Sequence, residues 1–167
     1  FKPLADKILK SILNYPLRAR WTEQGTLYSW GSFPDLITLP INNWRDLYPM
    51  GKAARLYGVK KYKKIKKNPL ACPSCPIGCK STLKIDEGDY EGLITSTSSY
   101  ATAALVSTRL DLKDFRKGVY CIHKMDDYGM DALATVGLFD FACDLYEHGI
   151  INDDDTDGIV LKSCLLY

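Results

Sequence analysis
Three thiols fall inside one eight-residue stretch, Cys72-Pro73-Ser74-Cys75-Pro76-Ile77-Gly78-Cys79, at the spacing C-x2-C-x3-C. The intervening Pro and Gly disfavour both helix and strand, so the stretch is expected to be a loop that points several sulfurs at one centre. Thiolates select soft partners: iron–sulfur clusters, zinc or Cu(I). A [4Fe–4S] cube takes four Cys, so three here imply a fourth ligand from farther along the chain. Structural zinc more often uses two-plus-two spacing, and His123 and His148 form no H-x3-5-H pair. The spacing therefore favours iron–sulfur and leaves zinc open. Radical enzymes of the S-adenosylmethionine type use the reverse order, C-x3-C-x2-C.

The remaining cysteines, Cys121, Cys143 and Cys164, bring the total to six. An even number permits a disulfide framework, but such frameworks belong to small secreted domains, and 167 residues at 46% hydrophobic content can bury a conventional core. A reducing, cytoplasmic setting follows. The net charge of +2 gives no argument for nucleic acid, and no apolar run reaches the roughly 18 residues of a membrane span. The chain opens without Met and ends on the apolar Cys164-Leu165-Leu166-Tyr167. It is expected to be a single helical domain, 1–167, excised from a larger multi-domain protein.

The fold class expected is mainly α, an irregular, orthogonal helical bundle with a Cys-rich cluster-binding loop and at most a small β-hairpin. Leu4, Ile8, Ile12 and Leu13 recur at helical spacing, with Pro16 ending the run. From Trp21 to Pro40 the Gly and Pro punctuation predicts loop and irregular turns. A helix is expected over about 44 to 57, its first half weakened by Pro49 and Gly51. Ser81 to Ile85 alternates and can turn at Glu87-Gly88 toward Leu93-Ile94 as a hairpin. Helices follow over 100 to 110, from a cap at Asp111 through Val119 and Ile122, and from a cap at Asp131 through Val136 and Cys143 to Gly149. Cys121 and Cys143 fall among apolar neighbours and are expected to be core thiols.

Beyond the Cys loop, three stretches stand out. Lys60 to Lys67 holds six lysines and is either a solvated connector or a docking patch for an acidic electron carrier or an anionic substrate group. Asp126-Asp127-Tyr128-Gly129-Met130-Asp131 joins two predicted helices; a glycine there lets backbone approach a ligand, and a carboxylate accepts paired N–H donors. Caps and exits of ordinary helices look the same. Asp89-Tyr90-Glu91-Gly92 sets two carboxylates in a predicted turn. His123, one helical turn before Asp126, is either a helix-surface or core histidine, the plainer reading, or a group that steadies Asp126.

Taken in order, Cys72 to Cys79, Asp89-Tyr90-Glu91 and Asp126-x-x-Gly129-Met130-Asp131 resemble the second domain of the aldehyde ferredoxin oxidoreductases, the tungsten-containing oxidoreductases. Gly25-Thr26, Leu39-Pro40-Ile41-Asn42-Asn43 and Tyr146-Glu147-His148-Gly149-Ile150 are similar to family segments too, so the resemblance runs over roughly residues 21 to 151. It implies Cys72, Cys75 and Cys79 as ligands of a [4Fe–4S] cluster beside a tungsten (or molybdenum) bis-pterin. Cys164 is the candidate fourth ligand. It implies that Asp126, with Gly129, Met130 and Asp131, holds one pterin, Met130 standing where the family usually has Leu. Asp89 and Glu91 match E-Y-E, with Asp for the first Glu, so Glu91 is the favoured proton-transfer residue and Asp89 the second candidate.

The activity implied is oxidation of aldehydes to carboxylic acids, with electrons passed to ferredoxin or an iron–sulfur electron-transfer subunit. The other domains of the same polypeptide are needed, and this domain alone is expected to be inactive. Tungsten subunits of benzoyl-CoA reductase complexes are similar to this family, which makes an aryl-CoA substrate the alternative. A non-catalytic iron–sulfur or zinc module is the reading from another class.

Overall fold
A computed structural model describes residues 1–31, 38–41, 43–97 and 100–161. Seven helices, two single 3-10 segments and five strands appear among them. In chain order they are α1 (Lys2–Leu13), α2 (Arg18–Gln24), a 3-10 segment (Gly25–Gly31), β1 (Thr38–Ile41), β2 (Asp46–Pro49), α3 (Met50–Tyr57) and α4 (Val59–Ile65). Then come β3 (Lys66–Leu70), β4 (Lys80–Lys84), β5 (Ile94–Thr97), α5 (Tyr100–Arg109), α6 (Phe115–Asp127), α7 (Ala132–Glu147) and a last 3-10 turn (Asp153–Thr156). The chain is mainly helical with small antiparallel sheets, as its patterning predicts.

Strand content exceeds one hairpin. β1 pairs with β2, and β3-β4-β5 form a second antiparallel sheet with β4 in the middle. The alternation read at Ser81 to Ile85 is real: Ser81, Leu83 and Ile85 are buried and their neighbours are not. The core gathers Leu27, Ala53, Tyr57, Tyr62, Leu83, Ile85, Val106, Leu110, Val119 and Val136, drawn from both sheets' neighbours and from α3 to α7.

Three expectations need correction. The stretch from Trp21 to Pro40 holds α2, a 3-10 segment and β1 rather than loop alone, because fully buried Leu27 anchors it to the core. The helix expected over 44 to 57 begins only at Met50. Pro49 stands at its N-cap with ψ 129, and the residues before it pair with β1 instead. The cap of α6 is Asp114, which accepts from the backbone N–H of Arg116 at 2.9 Å, and not Asp111. Asp111 instead closes α5 in a left-handed conformation (φ 47), while the Leu112 N–H returns to the Ser107 carbonyl at 2.8 Å.

Cys143 is buried, and that burial pushes its thiol up to about 11. Cys121 is partly buried, and its thiol is likewise raised by burial. No described helix is long and apolar enough to cross a membrane.

Candidate metal and cofactor site
The Cys loop is the connection between β3 and β4. Its first half closes on itself, the Cys75 N–H donating to the Cys72 carbonyl at 3.1 Å, with Ser74 at φ 62 and Gly78 at φ 60 turning the chain. Cys72 is exposed, Cys75 and Cys79 are partly exposed, and all three thiols are free. Among the described residues no three Cys, His, Asp or Glu side chains converge to hold a single ion. Cys164 lies outside the described residues.

The second half of the loop leans on α2. Thr22 Oγ1 donates to the Ile77 carbonyl, and Gly25 passes so close that a Cβ there would stand 3.1 Å from the Cys79 carbonyl. Lys66, at the start of β3, donates from Nζ to the carbonyls of Thr22 at 2.7 Å and Glu23 at 2.8 Å. Burial lowers its ammonium below the ordinary lysine value, with Glu23 opposing. Sequence reasoning missed this contact, since nothing distinguishes Lys66 from the other lysines of its run.

Asp89 and Glu91 sit in the turn from β4 to β5, both exposed, at the opposite end of β4 from the thiols. Five residues of strand separate them, about 15 Å at a rise of 3.3 Å per residue. Tyr90, between them, packs inward and stacks on Tyr120 of α6 with centroids 4.9 Å apart.

The junction of α6 and α7 closes as a Schellman motif. Gly129 takes φ 67, its N–H donates to the Asp126 carbonyl at 3.0 Å, and the Met130 N–H donates to the Met125 carbonyl at 2.8 Å. Those two donors are consumed. The Asp126 carboxylate is exposed beside them, as is the Tyr128 side chain. The space beside Gly129 is open, with nothing within 4 Å of a Cβ built there. Asp131 caps α7, its Oδ1 accepting from the Ala134 N–H at 2.7 Å. His123 pairs not with Asp126 but with Asp127, one turn on, at 3.4 Å.

A mostly apolar cavity of about 250 Å³ joins two of these stretches, lined by Tyr90, Tyr120, Cys121, Met125, Tyr128 and Met130 among others. Tyr90 of the Asp89–Glu91 turn and Tyr128 and Met130 of the α6–α7 junction thus meet at one cavity, whose lining includes none of Asp89, Glu91, Asp126, Gly129 or the thiol loop.

A family model described as aldehyde ferredoxin oxidoreductase, domains 2 and 3, matches residues 3–163, a longer span than the motifs alone cover. An aliphatic sulfonate oxidoreductase, WOR-like subunit, of Pyrococcus furiosus is 28% identical over 163 residues, 92% of this chain and 26% of that protein. Tungsten-containing aldehyde ferredoxin oxidoreductases of Pyrococcus horikoshii and Thermococcus kodakarensis are 31% and 29% identical over 88 and 84 residues, about half of this chain. The chain spans about a quarter of the first of these relatives and about 14% of the second. On this match, the chain belongs to the aldehyde ferredoxin oxidoreductase family.

Proposed function
We propose that the chain is the cluster-ligating and pterin-anchoring part of a tungsten bis-pterin, [4Fe–4S] oxidoreductase that oxidises aldehydes and hands electrons to ferredoxin. The observation that carries this reading is the turn of the β3–β4 hairpin, where three free thiols stand on one loop. The donor set suits the group. Soft thiolates spread along a loop match a cube, which takes one thiolate per iron, better than a single zinc ion, which needs its donors gathered round one point. Cys72, Cys75 and Cys79 would hold three corners.

The exposed Asp126 carboxylate, an acceptor, and the open space beside Gly129 suit the N–H edge of a pterin. When bound, the tungsten–pterin would supply the two-electron oxidation and the cluster the one-electron relay. Glu91 would hold and release the proton at its carboxylate, which stands exposed until neighbouring parts of the protein cover it. Tyr90 would give that turn a fixed base through its stack on Tyr120.

One observation favours a second substrate class. The relative aligned over 92% of this chain carries a name that refers to aliphatic sulfonates, while the aldehyde enzymes align over half. Steady-state assays with aldehydes and with aliphatic sulfonates separate the two.

The deciding experiment is metal and pterin analysis of the full-length protein purified without oxygen. About four irons with tungsten and pterin are expected; zinc without pterin overturns the reading. Cys75→Ala should abolish both cluster signal and turnover, and retention of both would sink the assignment of the loop.

A further inference from the structure
The bracket that α2 forms across the β3–β4 hairpin is not used by the reading above. At one end Lys66 fills the two carbonyls of Thr22 and Glu23, which the end of a helix leaves without intrahelical partners. At the other, Thr22 Oγ1 reaches the Ile77 carbonyl and Gly25 admits the Cys79 carbonyl. Lys66 lies along the face of Tyr62, its Nζ 5.4 Å from the ring centroid, and the Tyr62 hydroxyl shares a hydrogen bond with Ser81, two residues past Cys79. The first half of the loop is outside this bracket, since Cys72 and Cys75 are closed by their own turn.

We propose that Lys66 is a positioning residue for the thiol loop: through Thr22 and Gly25 it fixes the Ile77–Cys79 half. The bracket goes beyond the cluster reading and does not depend on it. Of the run from Lys60 to Lys67, Lys66 is the member that reaches the end of α2, while Lys63 pairs with Glu23 and Lys67 with Asp86 at the surface.

The test uses the full-length protein with Lys66→Met, Lys66→Arg and Thr22→Val. In iron-free protein, alkylation of Cys79 should run about tenfold faster in Lys66→Met and Thr22→Val than in the unaltered chain, the factor that corresponds to losing one hydrogen bond of about 1.4 kcal/mol. Alkylation of Cys72 should not change, and Lys66→Arg should restore the slow rate at Cys79.

Equal acceleration at Cys72 and Cys79, or no acceleration at either, overturns the bracket. If the unaltered protein binds no iron yet Cys79 alone is sped up, the bracket stands and the cluster reading falls. Should Lys66→Met fail to fold, Thr22→Val carries the labelling arm and Lys66→Arg the control.

Discussion
At Gly25 the backbone runs at φ 55 and ψ −153, a region essentially reserved for glycine, and a Cβ would meet the Cys79 carbonyl at 3.1 Å. A side chain there is opposed twice, by its own backbone and by the loop it would push. Gly25→Ala is expected to cost about 1–3 kcal/mol, the range for a residue held in such a region, read as a lower midpoint in urea. An unchanged midpoint would show that the 3-10 segment can re-form around the methyl group.

At this scale the sequence was readable only where one residue type has one use. The thiols and Gly129 announce themselves by type and neighbours. Lys66 does not, because its role depends on two carbonyls of a helix more than forty positions away. Asp127 rather than Asp126 takes His123 because i,i+4 puts two side chains on one helix face more directly than i,i+3 does in this turn.

Among elements, the long helices and the β4–β5 hairpin were legible, and β1, β2 and β3 were not. α6 and α7 bury Val119, Ile122, Val136 and Cys143 at helical intervals, a signal that survives a wrong choice of cap. β3 reads Lys-Lys-Asn-Pro-Leu, composed of residue types mostly depleted in strands. It forms because β4 offers an open edge, because a register shift between Lys66 and Pro69 accommodates the proline, and because its charged residues suit the edge of a sheet.

The cap of α6 gives a prediction at the same scale. Partial burial pushes the Asp114 carboxyl up, but the side-chain and backbone N–H groups of Arg116 outweigh it, and the net direction is down. A carboxyl lowered in the folded state adds stability that is complete above the ordinary Asp range. That stability is lost as pH falls through the lowered value. Asp114→Ala should therefore cost about 1 kcal/mol at neutral pH, and the gap to the unaltered chain should close as pH drops from about 4 toward 2. Urea midpoints compared at both ends of that range check it; a gap of constant size would mean that the charge of Asp114 is not what holds the cap.

The whole molecule leaves an unusual amount of apolar surface uncovered. α1 buries none of its residues and exposes Leu4, Ile8, Leu9 and Leu13, while α7 exposes Leu133, Leu138 and Phe141. The periodicity of α1 is legible in the sequence as a packing helix, yet none of its residues is buried among the described ones. The proposed reading supplies a cover, since the relative that aligns over most of this chain is about four times as long.

α1 should then add little to the stability of the rest. A chain lacking residues 1–14 is expected to unfold in urea with the same midpoint and nearly the same m-value, because m follows the surface exposed on unfolding and α1 buries none of its own residues. Its tendency to self-associate should fall, since a contiguous apolar stripe has been removed. A midpoint lowered by the equivalent of more than about 1 kcal/mol would show instead that α1 shields part of the core.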